Sequence, residues 1–318
     1  MSAKLANSKP YLKGFVFLFL AILSLVFVFV VFMDGRKQVI SFTPKLQNED
    51  PERITIIATG DVMLGRTVMI EAEEKEDPIY PFRKVADKLR EADLVFINLE
   101  NPIIPDCPKN DSGFKFCADP KMVAGLTFAG VDVASLANNH SGNYGKEGIN
   151  ETVKILEENG ILVTGLGDIV IKQYRNMSFG FLGFDFTVDL LNDADLELIT
   201  SANEKADVVI VGVHWGVEYT DKPTRKQREW AKEMVDAGAD VIIGHHPHWV
   251  QNSEIINGVP VYYSLGNFIF DQMWSEKTKK GLVVDLMYRG GRLFSSNLYR
   301  SYISEIGQPV FSSAYLGE

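Results

Sequence analysis

The chain has 318 residues, of which 46% are hydrophobic and 23% charged, and its formal net charge is −10. This composition is typical of a globular protein and excludes a disordered or collagen-like chain. The acidic balance argues against a nucleic-acid partner, and a total of two cysteines excludes a disulfide scaffold or a cysteine-based zinc finger.

A run of twenty uncharged residues, 14–33 (GFVFLFLAILSLVFVFVVFM), lies near the N-terminus. At about 1.5 Å per helical residue it spans the roughly 30 Å core of a bilayer. It lacks the small-x-small cleavage site of a signal peptide, so we expect an uncleaved signal anchor. Lys4, Lys9 and Lys13 precede it without an acidic residue. The positive-inside rule therefore predicts a single-pass protein of the cell membrane, with residues 1–13 in the cytoplasm and the body outside.

Residues 34–52 lack a sustained hydrophobic period and contain Pro44 and Pro51. We therefore expect a linker between the anchor and a folded domain at 53–318.

From residue 53, strand-like segments alternate with helix-like ones. The predicted strands are ITIIAT, DLVFINL, VDVASLA, ILVTG, MSFGFLGF, ADVVIVGV and ADVIIGH. The predicted helices cover 82–92, 120–129, 146–158, 193–205 and 223–238. Three β-rich segments then follow without a helical pattern between them: VPVYYSLGNFIF, GLVVDLMY and RLFSSNLYRSYI. This order predicts an α/β domain in which helices cover mixed sheets.

Polar residues cluster where the predicted strands end, and all five histidines of the chain are among them. In open α/β sheets, ligands bind at the carboxyl ends of the strands. We therefore expect one shared site, to which strand ends contribute Asp61, Asn98, Glu100, Asn138, Asn139, His140, His214, Glu218, His245, His246 and His248.

These side chains form a donor set of His, Asp, Asn and Glu without Cys, which suits Zn, Mn or Fe. One or two such divalent ions would polarise a phosphoryl or acyl group, and in a two-metal site the ions lie about 3.5–4 Å apart. His246 and His248 flank Pro247. Alternate residues of an extended segment project to the same side, so we expect both imidazoles to reach the metal site.

Six motifs in this order carry a family resemblance: GDVMLGR, NLENP, ANNHSGNYG, HWGVEY, GADVIIGHHPHWVQ and YSLGNFIFD. Over about 53–275 the chain resembles the CapA-type (PgsA-type) poly-γ-glutamate capsule-synthesis proteins. The resemblance implies the four-layer α/β/β/α sandwich of calcineurin-like metallophosphoesterases. It also implies a set of metal ligands: Asp61, Asn98, Glu100, Asn139, His214, His246 and His248.

The same resemblance makes His140 the residue that stabilises the transition state or protonates the leaving group. We expect Asp61 and Glu218 to act with it in catalysis. Arg66 directly follows the Gly60–Gly65 turn, where a guanidinium fork is suited to binding a phosphate or carboxylate. Asn267, from the last motif, is the second expected substrate contact.

Two functions remain open from the sequence. The first is a metal-dependent hydrolase, either phosphoesterase-like or acting on a γ-amide, which helps to make or export an anionic cell-surface polymer. The second is a non-catalytic polymer-binding or scaffold subunit of a membrane polymer synthase. Met63 replaces the histidine of the wider phosphoesterase pattern, and Asn143 replaces an aspartate usual in CapA-type proteins. Both replacements favour the second function.

Cys107 and Cys117 flank a turn-rich loop, PKNDSGFKF. Outside the membrane they can oxidise to a disulfide, which would stabilise the domain by about 2–3 kcal/mol through closing the loop. Two free thiols are the alternative.

Overall fold

The computed structural model describes residues 53–315, with side chains to residue 311. The predicted cytoplasmic tail, membrane anchor and linker (1–13, 14–33 and 34–52) lie outside the described residues. Within 53–315, no helix has both the length and the apolar character that crossing a bilayer requires.

Two sheets are formed by the strands of this part of the chain. The strands are β1 Arg53–Val62, β2 Leu94–Leu99, β3 Val133–Ser135, β4 Leu162–Thr164, β5 Val170–Tyr174, β6 Met177–Asp185, β7 Val208–His214, β8 Val241–His245, β9 Ser253–Ile256, β10 Val259–Tyr262, β11 Asn267–Ile269, β12 Lys280–Arg289, β13 Arg292–Glu305 and β14 Gln308–Tyr315. The α-helices are α1 Arg66–Glu74, α2 Ala86–Leu89, α3 Val123–Ala129, α4 Gly145–Glu158, α5 Asp193–Asn203 and α6 Arg225–Asp236, with short 3₁₀ turns at Tyr80–Phe82 and Pro120–Met122.

The first sheet has the strand order β14-β13-β12-β1-β2-β3-β4, with β11 also pairing with β1. The second has the order β5-β6-β7-β8-β10-β9. The strands β1 to β4 run parallel, as do β6, β7, β8 and β10. Asp61 pairs with Asn98 in the first sheet, and His214 pairs with His245 in the second. The polar residues at the ends of these strands are thus brought side by side.

Alternate residues of the strands face two different cores, as the period of two requires. Ile56 and Phe96 of the first sheet share a buried cluster with Phe181 and Ile210 of the second. Their neighbours face outward, where α1 to α4 cover the first sheet and α5 and α6 cover the second. The predicted α/β class with helix-covered mixed sheets is confirmed.

The predicted helix at 82–92 is reduced to the single turn of α2 and a preceding 3₁₀ turn. Phe82, Val85 and Leu89 are all buried, so the apolar pattern reflects packing of successive turns and not one continuous helix. Helix α1 was not predicted, because its acidic end resembles a solvated surface segment, although Val68, Met69 and Ala72 are buried on one face. The strands β5, β9 and β14 were not predicted either.

A close backbone contact positions Asp61. A Cβ on Gly60 would lie 2.1 Å from the carbonyl oxygen of Gly266, so a larger residue would push the two segments apart. The Asp61 amide donates to that same oxygen at 2.9 Å. As a result Asp61 stands opposite Asn267, the first residue of β11.

Candidate metal and catalytic site

Two buried carboxylates come from the ends of β1 and β2. Asp61 is fully buried and accepts a hydrogen bond from Asn98 Nδ2 at 2.9 Å through Oδ1. Glu100, which follows β2, is also fully buried, but neither of its carboxylate oxygens has a hydrogen-bond partner. Leaving a buried acceptor without a partner costs about 1–3 kcal/mol, and more when it is charged. An additional cation or donor is therefore expected beside Glu100.

His248 lies between these two carboxylates. Its Nδ1 is 3.2 Å from Asp61 Oδ2, and its Nε2 is 3.7 Å from Glu100 Oε1. One ligand atom from each of the three residues lies within 4.8 Å of the others. The three side chains thus form a buried group with suitable donors for a divalent metal ion.

A second group consists of two imidazoles and an amide. His214 Nε2, at the end of β7, lies 3.2 Å from His246 Nδ1 and 3.0 Å from Asn139 Oδ1. Two nitrogen ligands on a tetrahedral Zn²⁺, each about 2.0 Å from the metal, are separated by about 3.3 Å. Asn98 joins this group to the carboxylates, since its Nδ2 lies 3.4 Å from His214 Nδ1.

The His246–His248 segment differs from the extended conformation that its spacing predicts. His246 has φ of 94° and His248 has φ of 56°. Both are left-handed conformations, unusual for residues other than glycine and costing of order 1–3 kcal/mol each. The rings reach the site because these turns direct them there, and not because alternate residues of a strand share a face.

His140 lies beside Glu100. Its Nε2 is 3.9 Å from Glu100 Oε1, and its Nδ1 is 3.2 Å from Asn143 Oδ1. Asn143 Oδ1 also accepts from the backbone amide of Phe116. Because this oxygen is an acceptor, Nδ1 of His140 carries the proton of the neutral ring and Nε2 presents its lone pair. The amide at position 143 therefore orients the histidine as an aspartate would, but without adding charge.

Burial and mutual charge set the protonation of the carboxylate group. Burial raises the pKa of Glu100 well above its ordinary value, and Asp61 adds to this rise. Burial acts in the same direction on Asp61, but His248 and the other nearby histidines outweigh it and hold the pKa of Asp61 well below its ordinary value. Burial alone would lower the pKa of His248, yet the adjacent Glu100 and Asp61 raise it to about 9. Without a metal, His248 is thus the positive charge of this group.

The remaining imidazoles are held neutral. Burial lowers the pKa of His246 to about 4, with the charge of His248 as a further cause. Burial likewise lowers the pKa of His214 well below its ordinary value and that of His140 to about 4. Neutral imidazoles are the form that binds metals.

The residues predicted to contact substrate have partners within the protein. Arg66 pairs with Asp271 and donates to the carbonyl of Gly113 at 2.7 Å, so much of its charge is already offset. Asn267 is fully buried, and its Oδ1 lies 2.9 Å from His248 Nδ1. As placed, Asn267 orients His248. Glu218 is half-buried, and its charge acts on both Glu100 and His248.

Two further residues clarify the roles of the motifs. Asn138, one of the polar residues expected at the end of the predicted strand VDVASLA, donates to Asn98 Oδ1 and Leu99 O and accepts from the His140 amide. It thereby links β2 to the histidine loop, a role that the sequence pattern did not predict. His245 is fully buried and its Nε2 lies 3.0 Å from the Thr59 carbonyl, an orientation that serves strand packing.

Comparison with known proteins gives a match to one family model, described as "Bacterial capsule synthesis protein PGA_cap", at residues 55–188 and 185–272. The chain is 33% identical to "Capsule biosynthesis protein CapA" of Bacillus anthracis, over 75% of this chain and 65% of that protein. It is 32% identical to "PGA biosynthesis protein CapA" of Bacillus subtilis (strain 168), over 76% of this chain and 70% of that protein. The expected CapA-type resemblance is confirmed.

Solved structures with a similar fold include a hypothetical protein from Thermus thermophilus, with a TM-score of 0.53 and 17% identity over 78% of this chain and 98% of that chain. A structure titled as a novel phosphatase from Mycoplasma pneumoniae gives a TM-score of 0.52 and 14% identity, over 78% of this chain and 93% of that chain. At these identities, the likeness concerns the fold.

Proposed function

We propose that this chain, which belongs to the family of bacterial capsule synthesis proteins, acts outside the membrane in making or exporting a capsule polymer. The proposal includes a metal-dependent hydrolase-like site. The polymer of the proposal is poly-γ-glutamate, in keeping with the CapA-type motifs. The chain spans 65% of the length of the Bacillus anthracis relative. The role proposed here therefore concerns this chain and not the full length of that relative.

The proposal includes a calcineurin-like metallophosphoesterase fold and a membrane anchor at 14–33. The fold assignment is supported by two helix-covered sheets whose parallel strands end at one polar site, and by the likeness to the Mycoplasma pneumoniae structure. The anchor is supported by the twenty-residue uncharged run. Polymer synthase subunits in the same membrane are the expected partners.

The observation that carries the metal site is the Glu100 carboxylate, which is fully buried with no hydrogen-bond partner for either oxygen. A divalent cation held by Asp61, Glu100 and His248, with His214, His246, Asn139 and Asn98 as the ligands of a second ion or as supporting donors, would satisfy this carboxylate. The residues present therefore fit a metal. The bound cation supplies Lewis-acid polarisation of a phosphoryl or acyl group.

The chain's own residues contribute positioning and proton transfer. Asn143 holds the proton on Nδ1 of His140, so that the lone pair of Nε2 faces the Glu100 side of the site. His140 is therefore arranged to accept a proton from a bound molecule and to return it to a leaving group. Asn98 and Asn138 hold the carboxylate group and the histidine loop in register.

The test compares the purified protein with Glu100→Gln and His140→Ala. We expect the unchanged protein to retain Mn, Zn or Fe after dialysis and to hydrolyse a phosphodiester or a γ-glutamyl amide. Glu100→Gln is expected to lose metal, whereas His140→Ala keeps the metal but loses turnover by about 10²- to 10⁴-fold. Glu204→Gln, an exposed position at the end of α5, is the matched control. Equal metal content and equal activity in all four proteins would refute the hydrolase proposal.

A non-catalytic scaffold is the second candidate, and Met63 favours it. This buried side chain stands where the phosphoesterase pattern has a histidine, and its sulfur accepts from the Gly65 amide at 3.1 Å. The position thus supports the turn before α1. Complementation of capsule production distinguishes the two candidates. If the protein is a scaffold, capsule production should persist with His140→Ala and Glu100→Gln but be lost when residues 14–33 are removed.

A further inference from the structure

A disulfide-closed loop covers His140. Cys107 and Cys117 are bonded, which confirms the disulfide predicted from the sequence. Phe116, next to Cys117, packs its ring on the imidazole of His140 with centroids 3.8 Å apart and planes 20° apart. Little of this stacked pair is exposed to solvent, since Phe116 is 3% exposed and His140 7% exposed.

The backbone of the loop holds the same histidine. The Phe116 amide donates to Asn143 Oδ1 at 2.6 Å, and that oxygen lies 3.2 Å from His140 Nδ1. Phe116 thus fixes both the plane of the imidazole, through its ring, and the acceptor that orients Nδ1, through its amide.

The other face of Phe116 is also occupied. The guanidinium carbon of Arg66 lies 4.3 Å from the centroid of the Phe116 ring, and the same guanidinium donates to Gly113 O within the loop. At Gly65, a Cβ would lie 2.2 Å from the carbonyl oxygen of Cys117, so the loop backbone is packed directly against the start of α1. Arg66, Phe116 and His140 therefore form a three-layer stack at the edge of the metal group.

We propose that Phe116 is a positioning residue for His140 and that the Cys107–Cys117 disulfide holds it there, which makes the geometry of the site depend on the redox state of this loop. Cleaving the bond releases the residue adjacent to Phe116 and gives the loop the freedom of an open chain. The ring then leaves the imidazole, and Nδ1 loses its fixed acceptor arrangement. The consequence for turnover rests on the proposed hydrolase function, whereas the positioning of His140 does not.

The test uses the full chain in detergent, with the disulfide intact or reduced, and does not depend on turnover. Carbethoxylation of each histidine by diethyl pyrocarbonate is followed by mass spectrometry. We expect reduction to raise the rate at His140 by about 30- to 150-fold, the factor by which closing a loop of this length disfavours its open state. The rates at His214 and His246 serve as internal references.

A spectroscopic readout distinguishes positioning from general stability. In protein labelled with ¹³C-histidine, the stacked Phe116 ring shifts the His140 ring resonances, and reduction is expected to abolish this shift. Phe116→Leu should abolish it with the disulfide intact. Phe114→Leu is the matched control, because Phe114 is 80% exposed in the same loop and its side chain is not stacked on His140.

The double change Cys107→Ser with Cys117→Ser should give the reduced behaviour with or without reductant. If this variant does not fold, reduction of the unchanged protein still tests the disulfide, and Phe116→Leu still tests the stacking. Unchanged His140 reactivity and resonances after Phe116→Leu would overturn the positioning role, and unchanged values after reduction would overturn the role of the disulfide. Changes in both readouts without turnover in any form would support the positioning of His140 and count against the proposed hydrolase function.

Discussion

The two halves of the site differ in their donors and in how well these are satisfied. The half from the first sheet contains Asp61 and Glu100, and neither oxygen of Glu100 has a hydrogen-bond partner. In the half from the second sheet, His214 contacts both His246 and Asn139. Burial keeps these two imidazoles neutral by lowering their pKa values.

His248 connects the two halves. Its chain segment follows the second sheet, but its ring lies between the carboxylates, and Glu100 and Asp61 outweigh burial to raise its pKa to about 9. In the metal-free protein, the protonated His248 ring therefore compensates part of the negative charge that a metal cation would otherwise balance. A metal is therefore needed for charge balance only on the carboxylate side of the site.

Glu100→Gln is expected to have the largest effect and to act in opposite directions on stability and metal binding. We expect metal affinity to fall by about 100-fold or more, since even outer-shell partners are worth about 10- to 100-fold. The free energy of unfolding of the metal-free protein should rise by about 1–3 kcal/mol at neutral pH.

The pH dependence of that gain follows from the raised pKa of Glu100. Folding keeps a proton on this acid that the unfolded chain releases above about pH 4.3, so its cost grows as pH rises from there. The stability gain should disappear toward pH 4. Calorimetric titration and denaturant unfolding measure both effects, with Glu204→Gln as control, and a less stable variant with unchanged affinity would contradict this account.

His246→Ala tests the imidazole half. Metal affinity should again fall by about 100-fold, but the metal-free protein should gain no stability, because His246 already has a partner in His214. The same titration and unfolding measurements apply. A stability gain as large as that of Glu100→Gln would mean that the two halves do not differ as described.

The pH dependence of metal binding identifies which half binds first. A protonated imidazole is not a ligand, so a metal on the carboxylate side must displace the proton of His248, whose pKa is about 9. Affinity should then rise by at least about 10-fold per pH unit from pH 7, because a metal on this side also displaces the proton held by Glu100, and the part of the rise due to His248 should end above about pH 9. Competition with a chelator measures this slope, and a flat profile would assign the metal to His214 and His246 instead.

Asn98→Ala should have the smallest effect. Its amide donates to Asp61 and lies 3.4 Å from His214, so its loss loosens both halves without removing a charge. We expect metal affinity to fall by about 10-fold, measured by the same competition assay. Asn252→Ala, at an exposed position, is the control. A loss of metal affinity as large as that caused by Glu100→Gln would indicate that Asn98 is a direct metal ligand.

Prediction from the sequence succeeded where a local signal matched a strand or helix. The buried β-strands β1, β2, β7 and β8 and the helix α6 follow from apolar period and flanking Pro and Gly, and the polar residues after those strands are indeed gathered in one place. The prediction was wrong for the 82–92 segment, where the apolar spacing arises from consecutive turns. Helix α1 was not predicted because its acidic end obscures the apolar pattern of its buried face.

The α/β class, the family and the set of polar residues at strand ends can all be inferred from the amino-acid sequence, because they depend on local patterns and ordered motifs. How each side chain is used becomes apparent only in the folded protein. Asn267 orients His248, Asn143 fixes the Nδ1 proton of His140, and Phe116 stacks on that same ring. The roles of Asn267 and Phe116 arise from contacts between residues distant in the chain, and the placement of His246 and His248 depends on positive φ angles that the hydrophobic pattern does not encode.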